Sequence, residues 1–499
     1  MERAGTAIAE AARRLAADTG ARILVVAGPG NNGGDAWVAA AHLLGSFHKV
    51  VVFDMTGAAP KAAEARAAQA ACVERSGTIV REWPAGPAPA LIIDGLLGIG
   101  LARDVEEPFA ALIARMNESG APILAIDVPS GLDSETGRVR GVAVRAARTL
   151  TFIAHKIGLH TADGPDHCGV VELDDLGLGE AVGEAPHGDL LGPRDVASWL
   201  APRRRNAHKG DFGTLGIVGG QRGMVGAALL AARAAHLAGA GKVRVGLLSP
   251  DAPPVDGLHP ELMLVPVDDA LAGDVLVVGP GAGQSPSHVP LPGDRSHVPL
   301  PGDRSHVPLP GDRSATSVSM FERSVLPAAL ASSHPLVLDA DALNAIAFSE
   351  TLRAEMPRRK APTIATPHPA EAARLLGCET AAVQSDRLAA ALEIARRLRA
   401  HVVLKGVGSI CADPDGRWSI NATGNPGLAS AGTGDVLAGL IGALLCQGLE
   451  APRALRYAVC LHGAAADTLV ARGKGPVGLT ASEIALECRR LLNLWTANN

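Results

Sequence analysis

Aromatic residues are scarce in this chain of 499 residues: they make up 3% of it, with a single tyrosine. Hydrophobic residues nevertheless reach 47%, and alanine and glycine are abundant. A core of small side chains lets helices pack closely on sheets, as is typical of a soluble α/β protein. The chain is too long for one ordinary core, so its length favours at least two domains and two sites.

An excess of positive charge is also missing. Lys and Arg total 46 against 51 Asp and Glu, which gives a formal net charge of −5. No global basic field attracts nucleic acid or an anionic membrane, and we predict neither as a partner. The three arginines at 203–205 are a local exception. We interpret them as a solvated cluster near a linker, with phosphate steering as the alternative.

Paired cysteines and long apolar runs are absent as well. The seven cysteines are scattered, without metal-type spacing, which suits a reducing compartment. The first residues alternate charge with alanine and lack the apolar segment of a signal peptide. No stretch reaches the roughly 18 apolar residues of a membrane span. We therefore predict a cytoplasmic protein.

Short runs of Ile, Val and Leu alternate with alanine-rich helical stretches in two series. This alternation predicts parallel sheets covered by helices on both faces, with function at the carboxyl ends of the strands. The order weakens around residues 180–200, where glycine, proline and acid replace the apolar period. We therefore predict two three-layer αβα domains, residues 1–190 and 191–499.

A nonamer, SHVPLPGDR, occurs three times in tandem at residues 287–313. Nine residues with two prolines and a glycine are too few for a solenoid unit, whose periods begin at about 20 residues. We interpret the array as a flexible surface loop. Histidines spaced along such a loop do not fix a metal geometry.

The turn GPGNNGGD at residues 28–35 follows an apolar strand and leads into a helix. Glycine lets a ligand approach the backbone, and the amide groups at a helix start favour an anion. Asp35 would repel a phosphate unless it caps the helix or contacts a hydroxyl. A ligand site and a tight structural turn therefore both stay open.

Two more acids, Asp94 and Asp127, stand where buried strands end. Either one alone reads equally well as a loop cap. Three acids beside three glycine-rich loops, however, converge on one edge of a parallel sheet. Oxygens of Asn32, Asp94 and Ser130 would form a hard-ligand site for an alkali ion.

The motifs GPGNNGGD, DGLLGIGLARD and IDVPSGLD, in this order and spacing, resemble the YjeF N-terminal domain, a Rossmann-like fold with NAD(P)H-hydrate epimerase activity. The resemblance implies that Asp127 is the acid/base group of epimerisation. It implies potassium as a cofactor, coordinated by Asn32, Asp94 and Ser130. The residues implied to hold the hydrated dinucleotide are Asn31, Asn32, Gly33, Gly34, Asp35, Gly98, Ile99, Gly100, Leu101, Ala102, Arg103, Asp104 and Asp127.

Two features depart from that family's pattern. The chain begins at Met1, where the family usually carries a further segment that helps to close the site, and Ala36 stands where glycine is common. Both departures bear on epimerase efficiency more than on domain identity.

The second half contains no G-x-x-x-x-G-K-[ST] sequence, which excludes a P-loop. Instead Gly432, Thr433, Gly434 and Asp435 open a long apolar helix, an arrangement that favours an anion hole. Asp435 either satisfies the helix dipole or takes a proton from a substrate hydroxyl during phosphoryl transfer. Lys405, in VVLKGVGS, either meets phosphates or is a surface residue.

The segments HKGDFGTLGIVGGQRGM, VVGPGAG, TPHPAEAARLLG, VVLKGVGS and GTGDVLAG together resemble the carbohydrate-kinase-like domain of NAD(P)H-hydrate dehydratases, a branch of the ribokinase-like fold. The resemblance implies dehydration of the (S)-hydrate of NADH or NADPH at the expense of ADP, with magnesium, releasing AMP and phosphate. The implied substrate-binding residues are Ala227, Gly283, His368 and Asp435, with Asp435 catalytic. The implied nucleotide-binding residues are Lys405, Gly406, Val407, Gly408, Ser409 and Gly434.

Two of these assignments have close alternatives. Gly226 fits nearly as well as Ala227, and His368 also reads as a turn histidine between two prolines.

Taken together, the resemblances imply a bifunctional repair enzyme whose first domain interconverts the R and S hydrates and whose second restores the cofactor from S. They also imply a homo-oligomer. The alternative is a small-molecule kinase for a vitamin precursor or sugar, with a non-catalytic amino-terminal binding domain.

Overall fold

The computed structural model describes residues 1–16, 18, 20–57, 59–60, 62–179, 187–283 and 319–497. The chain divides into two compact units, Met1–Pro186 and His187–Asn499. The tandem nonamers at 287–313 lie outside the described residues. Within the described part, the helices include none with the length and apolar character needed to cross a bilayer.

The first unit is built on a seven-stranded parallel sheet of order β3-β2-β1-β4-β5-β6-β7. Its strands are β1 Arg22–Ala27, β2 Lys49–Asp54, β3 Thr78–Val80, β4 Leu91–Gly95, β5 Ile123–Ile126, β6 Arg148–Phe152 and β7 Val170–Asp174. Its helices are α1 Glu2–Leu15, α2 Asn31–Gly45, α3 Ala63–Glu74, α4 Phe109–Glu118 and α5 Gly164–Cys168.

The strands of this sheet are buried on both faces because alternate side chains enter different cores. Ile23 and Val25 of β1 pack with residues of α1, α2 and α3. Leu24 and Val26 of the same strand pack with Ile113 of α4 and its neighbours. The three-layer arrangement predicted from the apolar runs is therefore confirmed.

The second unit has a ten-stranded sheet of order β11-β10-β9-β12-β13-β14-β15-β16-β17-β8, parallel except where β16 pairs with β15 and β17. Its strands are β8 Asp189–Leu191, β9 Thr214–Gly219, β10 Lys242–Leu247, β11 Met263–Leu264, β12 Val275–Val278, β13 Leu336–Leu338, β14 Thr363–Ala365, β15 His401–Leu404, β16 Ile410–Ala412 and β17 Trp418–Asn421. Its helices are α6 Pro193–Val196, α7 Val225–Leu237, α8 Val267–Leu271, α9 Leu326–Ala331, α10 Asp341–Phe348, α11 Glu350–Glu355, α12 Pro369–Leu376, α13 Thr380–Ser385, α14 Arg387–Leu398, α15 Thr433–Cys446, α16 Ala451–Ala471 and α17 Ala481–Ala497.

Close helix packing in the second unit depends on small residues. A Cβ added at Gly439 of α15 would collide with the carbonyl oxygen of Ala231 in α7. Ala231, Ala234 and Ala235 of α7 are all fully buried. The abundance of alanine and glycine in the sequence therefore has a direct structural use.

The division between the units differs from the boundary expected at residue 190. β8 pairs in parallel with β17, with Leu190 opposite Ile420, and so belongs to the second sheet. A boundary at 190 would cut this strand, whereas the compact units divide after Pro186.

A buried ion pair ties the β16–β17 hairpin to α16. Arg456 Nη2 donates to Asp413 Oδ2 at 2.9 Å, and the two side chains are 10% and 3% exposed. His401 Nδ1 lies 2.7 Å from Asp413 Oδ1. Burial works against ionisation of Asp413, but hydrogen bonds from His401 and Arg456 outweigh it and lower the pKa of this carboxyl.

We expect Asp413→Ala to destabilise the second unit by about 3 to 5 kcal/mol, because it leaves the Arg456 guanidinium buried without a counter-charge. The measurement is urea denaturation of the full chain followed by circular dichroism. Asp415→Ala is the matched control, since Asp415 pairs with Arg417 on the same hairpin but in solvent. Adding Arg456→Met to Asp413→Ala should recover part of the loss. Equal unfolding midpoints for Asp413→Ala and Asp415→Ala would contradict this role.

Candidate functional site

The first candidate site lies at the carboxyl edge of the first sheet, where the turn after β1 enters α2. A Cβ at Gly28 would collide with the carbonyl of Leu96, and one at Gly33 with the carbonyl of Gly28. Backbone packing by itself therefore requires glycine at both positions. Gly30, by contrast, has nothing within 4 Å of an added Cβ, so its backbone is open to a ligand. The structural interpretation of the turn therefore applies at Gly28 and Gly33, and the ligand-site interpretation stays a prediction.

Asn32, Asp94 and Ser130 form one connected group below this turn. Ser130 donates to Asp94 through its backbone N, at 2.8 Å, and through Oγ, at 2.6 Å. Asn32 Nδ2 donates to the carbonyls of Leu97 and Ile126 at 2.7 and 3.0 Å. The structure therefore brings together all three residues expected to coordinate a metal.

The Asp94 carboxyl in this group is fully buried. Burial raises its pKa, and the hydrogen bonds from Ser130 and Leu96 offset only part of that effect. Among the described residues Asp94 has no ion-pair partner. A buried carboxylate without a counter-charge is stabilised either by a proton or by a bound cation.

Asp127 follows β5 with a left-handed backbone, φ 62°. Its Oδ1 accepts hydrogen bonds from Lys156 Nζ at 2.5 Å and Thr151 Oγ1 at 3.0 Å. Lys156 Nζ also donates to Thr151 Oγ1 and to the Phe152 carbonyl. Sequence reasoning missed Lys156, although its position just after β6 places it at the same sheet edge.

Asp35, in the first turn of α2, belongs to the same group. Burial raises its pKa to about 6; the ammonium of Met1 opposes this and the Asp127 carboxylate adds to it. The Met1 nitrogen lies 3.9 Å from Asp35 Oδ1. Asp35 and Asp127 are therefore close enough to interact, as expected if both face one ligand. Asn31, at the start of α2, is exposed.

The expected stretch from residue 98 to 104 starts beside Asn32. A Cβ at Gly98 would lie 3.3 Å from both Cβ and Cγ of Asn32. Nothing lies within 4 Å of a Cβ added at Gly100, and Ile99 is 61% exposed. The rest of the stretch is half-buried or exposed, namely Leu101, Ala102, Arg103 and Asp104.

The second candidate site surrounds the start of α15. Gly432 precedes this helix with φ 86°, a conformation that favours glycine. Thr433 Oγ1 donates to the carbonyls of Leu428 and Ser430, both at 2.9 Å, and so fixes the loop. The amides of Gly434 and Asp435 lie in the first turn of α15, where the helix itself provides no carbonyl to accept their hydrogen bonds. Amides in this position favour the binding of an anion.

Lys405, at the end of β15, reaches this helix start. Its Nζ lies 3.1 Å from Asp339 Oδ1 and 3.9 Å from Glu371 Oε2. A Cβ at Gly434 would lie 3.4 Å from the same nitrogen. Burial alone would lower the pKa of Lys405, but the carboxylates of Asp339 and Glu371 outweigh it and raise this pKa. Lys405 is therefore a partly buried cation held by two acids, and not a freely solvated surface residue.

Asp435 shares this environment. Its pKa is raised to about 7, first by burial and then by the charge of Asp339, while Lys405 acts in the opposite direction. Burial also raises the pKa of Glu371. Sequence reasoning missed Asp339, Asp341 and Glu371. The available signals were the two acids directly after β13 and the acid three residues after His368.

The remaining predicted substrate residues connect to this acidic group. The Gly283 amide donates to Asp341 Oδ2 at 2.8 Å. His368 caps α12: its Nδ1 accepts from the amides of Ala370 and Glu371, and its own amide donates to Glu371 Oε2 at 2.8 Å. His368 is thus a turn residue that caps α12, and its ring lies beside Glu371, one of the acids near Lys405.

Ala227 is placed less directly. A Cβ at Gly281 would lie 3.0 Å from the Ala227 Cβ, which puts Ala227 against the loop that leads to Gly283. A Cβ at Gly226 meets nothing within 4 Å. The structure therefore leaves both neighbours as alternatives.

The turn after β15 is held from behind by an arginine. Arg387, which is 2% exposed, donates to the carbonyls of Leu404 and Lys405. Gly406 has φ 136°, and Ser409 Oγ donates to its carbonyl at 3.0 Å. Val407 is 55% exposed. The segment formed by Lys405, Gly406, Val407, Gly408 and Ser409 is thus an ordered turn with an open outer face.

The histidine that packs behind the helix start was not expected. His462 of α16 is buried, and burial lowers its pKa to about 4 although it hydrogen-bonds to the Thr433 backbone. Its Nε2 has no hydrogen-bond partner among the described residues. A neutral His462 adds no positive charge beside Lys405.

Comparison with known proteins agrees with this geometry. Residues 1–158 match the family described as the YjeF-related protein N-terminus, and residues 215–301 and 309–489 match the family described as NAD(P)H-hydrate dehydratase. The bifunctional NAD(P)H-hydrate repair enzyme Nnr of Coxiella burnetii is 37% identical over 94% of this chain and 90% of its own length. That of Escherichia coli is 37% identical over 99% of this chain and 89% of its own length.

The chain belongs to the bifunctional NAD(P)H-hydrate repair enzyme family. Solved structures that it resembles include an ADP/ATP-dependent NAD(P)H-hydrate dehydratase from Bacillus subtilis, co-crystallised with ATP and Mg²⁺. That protein is 28% identical, with a TM-score of 0.48, over 62% of this chain and all of its own. The resemblances to the YjeF N-terminal domain and to the carbohydrate-kinase-like domain are confirmed.

The raised pKa of Asp435 predicts how stability changes with pH. A carboxyl whose folded pKa is about 7, above its ordinary 3.8, binds its proton more tightly in the folded state. Its ionisation therefore destabilises the fold as pH rises from about 4 to about 7. Asp435→Asn carries no such proton. We expect the unfolding free energy of the unsubstituted protein, relative to Asp435→Asn, to fall across this window in urea titrations. A difference that stays constant with pH would contradict the burial of this carboxyl.

Proposed function

We propose that this protein repairs hydrated NADH and NADPH in two steps. The first unit interconverts the R and S hydrates, and the second dehydrates the S form at the expense of ADP, releasing AMP and phosphate. Family membership over nearly the whole chain supports a paired activity of this kind. The observation that carries the proposal is the placement of Asp435, Lys405 and the amide of Gly434 around one point.

In the second unit these groups divide the work of phosphoryl transfer. Lys405, the Gly434 amide and the turn at residues 406–409 hold the phosphates of ADP. Asp435 takes the proton from the substrate hydroxyl as its oxygen attacks the β-phosphorus, and AMP leaves. The C–O bond of the new phosphate ester then breaks, inorganic phosphate leaves with the bonding electrons, and the neighbouring ring carbon loses a proton to solvent, which restores the ring double bond. A pKa near neutrality suits Asp435 for this proton transfer.

Ala227, Gly283 and His368 are proposed to contact the hydrated dinucleotide. The amides of Gly283 and His368 donate to Asp341 and Glu371, and the charges of these two acids act on Asp435. The positions of Gly283 and His368 are consequently sensitive to changes at the acids.

Magnesium is proposed to arrive with the nucleotide. Mg²⁺ usually keeps several waters and binds through substrate phosphates with only one or two carboxylates. In the described part of the chain, no cluster of three or more His, Cys, Asp or Glu side chains is arranged to hold an ion. Bound Mg²⁺ would neutralise phosphate charge that the surrounding carboxylates otherwise repel.

In the first unit Asp127 is proposed to move the proton at the hydrated carbon. Lys156 fixes the direction of this carboxylate through a charge-assisted hydrogen bond, assisted by Thr151. The start of α2 at residues 30–35 and the loop at residues 98–104 hold the dinucleotide. Lys156 is a positioning residue, because it acts on the substrate through Asp127.

The residues around Asp94 fit a potassium ion. The Asp94 carboxylate is buried without a counter-cation, and Asn32 Oδ1 has no hydrogen-bond partner among the described residues. Asn32, Asp94 and Ser130 would hold the ion, which would supply positive charge near the phosphates of the substrate. A homo-oligomer and a cytoplasmic location stay predictions from the sequence.

We expect Asp435→Asn to lower the ADP-dependent recovery of NADPH from its (S)-hydrate by at least about a hundredfold, because the general base is lost. The assay follows the near-ultraviolet absorbance of the reduced nicotinamide, with ADP and Mg²⁺ and parallel detection of AMP and phosphate. Asp415→Asn, on an exposed hairpin, is the control and should keep full activity. Undiminished turnover in Asp435→Asn would remove this residue from the mechanism. Accumulation of a stable phosphorylated product would favour the small-molecule kinase instead.

We expect Asp127→Asn to abolish interconversion of resolved R and S hydrates in the absence of ADP. Lys156→Met should lower kcat about tenfold or more, since the charge-assisted hydrogen bond that orients the Asp127 carboxylate is lost. Lys156→Arg should restore part of this loss. Chromatography of the two epimers gives the rates. An Asp127→Asn variant that interconverts the epimers at the normal rate would leave the first unit as a binding module.

A further inference from the structure

A large groove opens beside the first candidate site, and no step proposed above uses it. It encloses about 990 Å³ at the carboxyl ends of β2 and β3 and along α3. Its polar lining includes Asp54, Arg66, Arg81 and Trp83. This volume is of the size that small-molecule sites usually have.

The groove lies at the same sheet edge as the glycine turn that leads into α2. Asp54, the last residue of β2, stands opposite Ala27 of β1, and the Met55 amide donates to the Ala27 carbonyl at 3.1 Å. Asp54 also lines the groove, so the end of β2 lies between the turn and the groove.

Strand order places the groove on the side of this turn away from Asp127. The order β3-β2-β1-β4-β5 puts the groove at β3 and β2, the turn at β1 and Asp127 after β5. In open sheets of this kind a dinucleotide lies across the strand ends with its pyrophosphate at the central helix start. If its reacting end meets Asp127, its adenosine end extends over β2 and β3.

We propose that this groove binds the adenosine end of the hydrated dinucleotide and that Arg81, together with Arg66, recognises a 2′-phosphate on its ribose. The inference rests on the proposed epimerase function of the first unit. It assigns this unit a preference for the hydrate of NADPH over that of NADH.

Arg81 is held in place and still available to a ligand. Its Nη2 donates to the Gly57 carbonyl at 3.0 Å, and its guanidinium covers the space that a side chain at position 57 would need. Gly57 has φ 63°, which also favours glycine there. Arg81 makes no ion pair with any described residue and is exposed. A guanidinium fixed at one end offers its other N–H groups to a phosphate with little loss of side-chain freedom.

The acid at the end of β2 does not cancel this charge. Asp54 is 6% exposed, and its Oδ1 accepts from the amides of Thr56 and Gly57 at 3.2 and 3.0 Å. An acid at this place commonly accepts from a ribose 2′-hydroxyl, whereas a nearby arginine accommodates a 2′-phosphate. Because Asp54 is buried in its own turn while Arg81 is exposed, the arginine side chain is the charge that a ligand meets.

Trp83 and Arg66 complete the groove. Trp83 is half-buried, and Arg115 lies 5.5 Å from its ring centroid. An indole in such a groove can stack on a purine base, and this chain has only five tryptophans. Arg66 comes from α3, where its Nη1 donates to the Pro60 carbonyl at 3.1 Å. The groove thus combines a surface for a base with positive charge for a phosphate.

The test measures KM and kcat of the full chain for the hydrates of NADPH and NADH, in R-to-S conversion without ADP. Arg81→Gln should raise KM for the NADPH hydrate about tenfold, since a charge-assisted contact to phosphate is lost, and leave the NADH hydrate unchanged. Arg66→Gln should act in the same direction. Trp83→Leu should raise KM for both hydrates equally, because both carry adenine. Lys49→Gln, which removes the same charge at the other end of β2, should change neither.

An Arg81→Gln variant with the same ratio of KM values as the unsubstituted protein would overturn the inference while leaving the epimerase function intact. If the unsubstituted protein converts neither hydrate, the proposed function fails, and calorimetric titration with adenosine 2′,5′-bisphosphate decides the inference separately. Weaker binding of this probe by Arg81→Gln than by Lys49→Gln supports the groove as its site. Equal binding by the two variants overturns it.

Discussion

The second site depends on one interaction above the others, the burial of the Lys405 ammonium between Asp339 and Glu371, beside Asp435. Three carboxylates around one cation leave a surplus of negative charge in a place of low dielectric. Burial first, and then the charge of Asp339, raises the pKa of Asp435 to about 7, and its protonation removes part of this surplus. The arrangement therefore supports the proposed role of Asp435 as a base at neutral pH and the proposed entry of Mg²⁺ with the phosphates.

The first site also contains a buried carboxyl group whose negative charge no side chain in the described part of the chain compensates. Asp94 is fully buried, and its hydrogen bonds come from neutral groups, so a cation is needed for the ionised form. Asp127, by contrast, has Lys156 directly on its carboxylate. This difference supports the roles proposed for the pair, ion binding for Asp94 and proton transfer for Asp127, although both stand at the ends of neighbouring strands of one sheet. The two acids differ because Ser130, a neutral residue, lies beside Asp94, whereas Lys156 lies beside Asp127.

The sequence predicted those features that depend on local backbone geometry. The glycine turn before α2 and the glycine-rich start of α15 lie where the apolar runs and glycines indicated. The sequence did not reveal Lys156, Asp339, Glu371 or His462, because each meets its partner from a different strand or helix. Such contacts depend on strand order, which a single sequence does not display. The boundary at residue 190 missed β8 for the same reason, since its pairing partner β17 is far along the chain.

The position of β8 has a consequence for how the dehydratase half folds. The dehydratase family match begins at residue 215, yet Asp189–Leu191 completes the edge of the second sheet beside β17. A chain cut between these points would expose the unpaired amides and carbonyls of Trp418–Asn421 as an open edge, which invites strand-to-strand aggregation. Asp189–Leu191 therefore covers an edge of the second sheet that would otherwise be open, and a cut by family boundaries would remove this cover.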